Sequence, residues 1–312
     1  MFGTPRSLAI GALALALLTG SAKAQERPEV TVEDVVVVAR RSGAPIWEVR
    51  NGLGTLVLVG SIQAVPREAP WSPDALEDAV RAADQVILSQ SATMSLGDFF
   101  RMRRARAKLP AGSTSADYLD ASWHDRLMAL ARQYRQDYDA RGLVASARDL
   151  LDRRLRFEQG RGLSAQEVVR RAARKARRPV RLVGDLDASH VDDSIATPDA
   201  TQIACLQASI AATEAGPAGL IERGRAWTSQ RVVDVVASPA ERAWDRCAWF
   251  ADTRLRVAGR AQWADAALEA LNHPGVTMLV APITVIAEAQ GLLDQIEAEG
   301  LEIIGPEWKV RD

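Results

Sequence analysis

The chain has 312 residues, 47% of them hydrophobic, with 39 basic and 40 acidic side chains and a net charge of −1. That balance lacks the basic excess a nucleic-acid binder needs, while the apolar share is enough for the core of one large α/β domain. The two cysteines, Cys205 and Cys247, have no Cys-x-x-Cys spacing, which argues against a structural zinc centre.

Residues 1–24 read as a cleavable signal peptide. Arg6 supplies the positive start, Leu8 to Leu18 is an uncharged apolar run, and Ala22-Lys23-Ala24 is a small-x-small cleavage site. The run is about half of what spans a bilayer, and no later stretch is long and apolar enough for a transmembrane helix. Cleavage after Ala24 would remove Arg6 and Lys23 and leave a net charge near −3. It would also place the protein in a periplasm or outside the cell. In that oxidising setting Cys205 and Cys247 are expected to pair, two buried thiols being the alternative.

Residues 25–44 read as a flexible lead, with a possible strand at Val35 to Val38 where β-branched residues run together. Ile46 to Val49 alternates like a half-buried strand, Asn51-Gly52 signals a hairpin turn, and Thr55 to Val59 is a more apolar, central strand. Pro73 to Ala83 is a helix with Ser72 as N-cap and Pro73 at its first position. Val86 to Leu88 is a short buried strand. A helical insert is expected over about 96–177, broken at Pro110-Ala111-Gly112, Gly142 and Gly160-Arg161-Gly162. Pro179 to Val183 is a strand. Helices resume from Thr201 to Leu271 with a break near Gly216-Pro217. Thr277 to Val280 is a strand, Val285 to Glu299 a helix, and Leu301 to Ile304 a last strand. The fold class is therefore α/β: a central mixed sheet with a large helical part.

In such a sheet, ligand sites form beyond the carboxyl ends of the strands. Those ends read Gly60-Ser61-Ile62-Gln63, Leu88-Ser89-Gln90, Val183-Gly184-Asp185 and Ala281-Pro282-Ile283-Thr284. They are poor in metal ligands. His124 and His273 read as solvated residues at a helix start and in a turn. His190 with Asp192 or Asp193 is a weak metal candidate, since zinc needs three or four converging ligands. No nucleophile elbow, His-Glu-x-x-His or phosphate loop is present. The arginine-rich tracts 101–106 and 170–178 read as solvated helix faces, with docking to acidic lipid headgroups or an acidic partner as the alternative. The tryptophans read as core and helix-contact residues.

Pro45-Ile46-Trp47-Glu48-Val49, followed by Thr55 to Val59 and Gly60-Ser61-Ile62-Gln63-Ala64-Val65-Pro66, resembles the opening of TraB/GumN proteins, relatives of the Tiki metallopeptidases. Trp71-Ser72-Pro73, Ala83-Asp84 and Leu109-Pro110-Ala111-Gly112 continue the likeness, which runs from about Pro45 to Pro306. The resemblance implies the TraB/GumN and ChaN-like (EreA-like) fold over 45–312. It also implies a site in which two Gly-x-x-His histidines and a glutamate hold a divalent metal.

Here the first motif falls on Gly60 and Gln63, the glutamate on Ser89, and the second motif on Ala281 and Thr284. A further acid falls on Ser164 and an Arg-Asn pair on Arg254-Leu255, of which only the arginine stands. Gln63 offers an amide oxygen, and Ser89 and Thr284 offer hydroxyls, all weak donors for a divalent ion. The expectation is a degenerate member without metal or cofactor. Gly60, Gln63, Ser89, Arg254, Ala281 and Thr284 would line a crevice for an unidentified peptide, protein or small ligand. The alternative is a metal-dependent peptidase or hydrolase built on Asp185, His190 and Asp192.

Overall fold

The computed structural model describes residues 32–90, 108–159, 161–183, 198–247 and 253–310. The leader at 1–24, the tract 101–106, and Asp185, His190, Asp192 and Asp193 lie outside the described residues.

The chain opens with α1 (Val32–Arg40) rather than a strand at Val35 to Val38. Glu33 and Asp34 in its first turn and Arg40 in its last complement the helix dipole. Val35, Val36 and Ala39 recur at helical spacing and are buried in the main core, so the flexible lead expected over 25–44 does not extend through 32–44. Strands β1 (Ile46–Arg50) and β2 (Gly54–Ser61) form an antiparallel hairpin in which Ile46 pairs with Val59 and Arg50 with Thr55. The Asn51 side chain accepts from the amides of Leu53 and Gly54 and closes the turn.

Helix α2 (Pro73–Ala82) has Pro73 at its first position, but the Ser72 side chain makes no capping bond. Next come β3 (Gln85–Ser89), α3 (Ala121–Tyr134), α4 (Leu143–Arg148) and a π-helical turn over Asp149–Leu155. α5 (Ala165–Ala176) leads into β4 (Val180–Val183). α6 (Ala200–Thr228), α7 (Val232–Ala237), α8 (Pro239–Cys247) and α9 (Thr253–Leu271) form the second helical run. β5 (Gly275–Pro282) is followed by two short helices, α10 (Ile283–Ala287) and α11 (Leu292–Ala298), where one long helix was expected. β6 (Ile303–Ile304) closes the order.

The six strands form one mixed sheet in the order β4-β3-β5-β2-β1-β6. β4, β3, β5 and β2 are mutually parallel, and β1 runs against both β2 and β6. β2 is buried along its whole length, as a central parallel strand covered on both faces should be.

Two smaller apolar clusters lie apart from this core. Leu119, Leu127, Leu130, Tyr138, Leu143 and Leu150 pack with Cys205, Leu206 and Ile210 of α6. Leu155 and Phe157 pack with Ala64, Ala212, Ala240 and Ala243. α6 is broken at Gly216, whose φ of 62° and ψ of −162° leave the helical region. Before the break α6 packs on the insert; after it, Ala226 and Trp227 enter the sheet core. Cys205 and Cys247 are joined by a disulfide with Cα atoms 4.8 Å apart, tying the start of α6 to the end of α8.

Candidate functional site

The parallel registers line up three strand ends. Gly60 of β2 pairs with Ala281 of β5, and Leu88 of β3 pairs with Val280 of β5, which sets Ser89 level with Ala281. Gln63 and Thr284 each lie three residues beyond that row, on the first turn of chain leaving β2 and β5. Gln63, Ser89 and Thr284 therefore stand at or just past the carboxyl ends of three adjacent parallel strands, the edge of an α/β sheet where ligand sites form.

Gly60 itself is walled in. A Cβ there would stand 3.2 Å from the Trp47 ring and 3.3 Å from Ile283. Close packing of the buried Trp47 gives this glycine a reason independent of any ligand. Thr284 and Ala281 are buried, and Gln63 is half-buried.

The segment leaving β2 is held by two donors four residues apart on α6. Trp227 Nε1 donates to the Gly60 carbonyl at 2.8 Å, and Arg223 Nη2 donates to the carbonyls of Gln63 and Ala64 at 2.6 and 3.0 Å. Ala64 adopts a left-handed φ of 50°, so the chain turns sharply where Arg223 grips it. Arg223 is fully buried, pairs with the equally buried Glu241 of α8 at 2.9 Å, and lies 5.0 Å over the Phe157 ring. Burial pushes the Glu241 carboxyl up to about 7, and the nearby Asp245 adds to the rise while the Arg223 charge opposes it. Neither the arginine nor the glutamate carries a sequence motif. The signal that could have found them is a pair of ionisable residues at core positions of two helices.

Ser89 meets α5. Its hydroxyl donates to Gln166 Oε1 at 2.7 Å, and its carbonyl accepts from Arg170 at 2.8 Å. The same helix start carries Ser164, which is buried and serves as N-cap. The Ser164 hydroxyl accepts from the Glu167 amide, and the Glu167 carboxylate accepts from the Ser164 amide at 2.8 Å, completing a capping box. Burial alone would raise the Glu167 carboxyl, but the Ser164 amide and the Arg161 guanidinium outweigh it and hold it below its ordinary value. Ser164 thus has a structural task at the position where the resemblance placed an acid. Its loop adjoins the β2 exit, since the Gly162 amide donates to the Val65 carbonyl at 2.7 Å. Arg254 lies in the first turn of α9, and its side chain is outside the described ones.

Of the other candidates, His273 is exposed as expected. His124 is not simply solvated: its ring is 24% exposed and faces Asp139 at 3.4 Å. Trp47 and Trp227 are core residues, as read. The tract 170–178 forms most of α5, with Arg171, Arg174 and Lys175 exposed and Val168, Val169, Ala172 and Ala173 facing the core.

A family model described as the TraB/PrgY/gumN family matches residues 45–304, most of the chain. The chain belongs to the TraB/PrgY/gumN family. No curated protein and no solved structure is a match for it. As a member of this family the chain supplies, at its three aligned strand ends, one amide and two hydroxyl side chains. Among the described residues no three His, Cys, Asp or Glu side chains are grouped so as to hold a metal ion. Gln63, Ser89 and Thr284 do not fit a catalytic divalent ion. Neutral oxygens bind it weakly, and the Ser89 hydroxyl is already committed to Gln166. Among the described residues no helix is long and apolar enough to cross a membrane.

Proposed function

We propose that this TraB/PrgY/gumN-family chain is an exported, non-catalytic protein of the cell envelope. Its strand-end crevice binds a peptide, a partner protein or a small ligand in place of a catalytic metal. The observation that carries the reading is the donor set at the three aligned strand ends, Gln63, Ser89 and Thr284. None of these can be a thiolate, imidazole or carboxylate ligand, so none can help a metal lower the pKa of a bound water. The chain leaving β2 is nonetheless firmly held, with Trp227 and Arg223 fixing the carbonyls of Gly60, Gln63 and Ala64. A rigid strand end without ligating groups suits recognition.

Export is supported by the leader-like start of the sequence, with Gln25 as the first mature residue. The Cys205–Cys247 bridge is in keeping with an oxidising compartment. Terminal sequencing of the protein recovered from the envelope should begin at Gln25; a start at Met1 overturns the export reading.

The metal reading is tested by elemental analysis of the purified chain. We expect no stoichiometric divalent ion. A chelator-sensitive ion at one per chain overturns the proposal and favours a metal-dependent peptidase or hydrolase. The reverse experiment is the triple replacement Gln63→His, Ser89→Glu, Thr284→His. It should gain zinc, manganese or cobalt binding by calorimetry, while each single change gains little, because chelation needs converging ligands.

A further inference from the structure

A cavity of about 490 Å³ opens between α7, α8, the α10–α11 junction and the segment after β6. That is within the size range of small-molecule sites. None of Gln63, Ser89 and Thr284 lines it, so a ligand held here is independent of the crevice at the strand ends. Its apolar wall comes from Val233, Val236, Ala287, Val310 and the ring of Trp308.

The charged groups on the wall are almost all satisfied within the protein. Glu288 pairs with Arg246 at 3.2 Å and with Arg260. Asp294 accepts from Trp308 Nε1 at 2.9 Å and pairs with Lys309 at 3.0 Å, and Lys309 also pairs with Glu297. Arg242 differs. It is exposed, lines the cavity, and among the described residues its guanidinium has neither hydrogen bond nor ion pair.

An apolar wall with one uncommitted guanidinium selects its ligand by elimination. The wall favours a hydrocarbon body, which gains by leaving water. The guanidinium fork matches a carboxylate in bidentate geometry. A cationic ligand would leave Arg242 unanswered and add a like charge beside it. A phosphate-type dianion would set its second charge against the carboxylates of Glu288 and Asp294 on the same wall. We propose that this cavity binds a small apolar carboxylate, with its anionic end on Arg242 and its hydrocarbon body against Val236, Ala287 and Trp308.

The chemistry is shared by a medium-chain fatty acid and by the free C-terminus of a short apolar peptide. Calorimetric titration of the full chain separates them. The probes are octanoate, octanol and octylamine, and N-acetyl-Leu-Val-Ala as free acid and as amide. We expect at least one of the two carboxylates to bind at one per chain, and its uncharged counterpart to bind about tenfold more weakly or worse. Octanoate alone assigns the site to fatty acids, and the peptide acid alone assigns it to peptide termini. Arg242→Gln should erase the preference for the acid while leaving the circular dichroism spectrum unchanged, because Arg242 supports no other described residue. Failure of both carboxylates to bind overturns the proposal, and so does binding that is undiminished in Arg242→Gln.

Discussion

Arg223 Nη1 stands 2.9 Å from a carboxylate oxygen of Glu241. Both are fully buried, and together they connect α6 and α8 to the chain leaving β2. Removing one partner leaves a charge without compensation in the core, which costs about 3–5 kcal/mol. Arg223→Met should therefore lower the unfolding free energy by about that much and release the Gln63 and Ala64 carbonyls. Faster amide exchange across 60–66 would report the release. The pair also imposes a pH dependence. Glu241 is raised from an ordinary 4.5 to about 7, so its protonated form is favoured by folding. That contribution is fully present below about 4.5 and is lost as pH rises through about 7, amounting to about 3 kcal/mol. Denaturant unfolding between pH 5 and 8 should show wild type losing more stability than Glu241→Gln. Equal slopes in the two proteins would rule out Glu241 as the titrating group.

At the level of elements, the insert has its own electrostatic centre. Asp149, buried in the π-helical turn, accepts from the Tyr138 hydroxyl at 2.7 Å and from Arg154 at 3.0 Å, with Arg153 and Arg141 at 3.6 and 3.7 Å. Burial alone would raise its carboxyl, but these donors and charges outweigh it and hold it low, while burial and the same contact push Tyr138 up to about 12. A depressed carboxyl contributes stability above its ordinary value and loses it as pH falls through the folded one. Asp149→Asn should thus destabilise at neutral pH and flatten the acid limb of the unfolding profile. Reduction of the Cys205–Cys247 bridge, which closes a separation of 42 residues, should lower stability by about 3–4 kcal/mol. Comparison of the oxidised protein with the Cys205→Ala, Cys247→Ala variant in the same denaturant series measures this.

These elements also show what sequence patterns reveal and what they leave hidden. The strands from Ile46 to Val59 were legible because alternation and the Asn51-Gly52 turn are local signals. The break at Gly216 was legible because Gly-Pro punctuates helices. Val35 to Val38 misled, since a run of β-branched residues favours a strand until its burial at helical spacing against the sheet decides otherwise. The strand ends of the candidate site could be read from order alone. Arg223, Glu241 and Asp149 could not, because their meaning lies in partners 18, 159 and 11 residues away that only the packed structure brings together.

For the whole molecule, the family match over residues 45–304 places the chain in its family, and the mixed six-stranded sheet with its many helices is an α/β fold in keeping with it, with Gln63, Ser89 and Thr284 at or just past its three aligned strand ends. A fold can be kept while the donors on it change, since function resides in sites carried by folds. The sheet core relies on Trp47, which is fully buried, donates to the Pro306 carbonyl at 2.8 Å and packs over Gly60. Gly60→Leu should fail to fold or lose several kcal/mol by overpacking, whereas Gln63→Ala on the neighbouring turn should be nearly neutral in the same thermal unfolding assay.

The break at Gly216 bears on how the molecule comes apart. One continuous stretch of chain reaches from the insert cluster at Cys205, Leu206 and Ile210 to the sheet core at Ala226 and Trp227, and between them lies Gly216, whose backbone is not helical. The insert residues that pack on the first half of α6 can loosen while the Cys205–Cys247 bridge holds that half to α8 and Trp227 keeps its bond to the sheet. Unfolding is then divisible. The cluster of residues 109–150 with Cys205, Leu206 and Ile210 of α6 can exchange its amides in partial excursions that the strands never join, so the two halves of a single helix would record different protection factors.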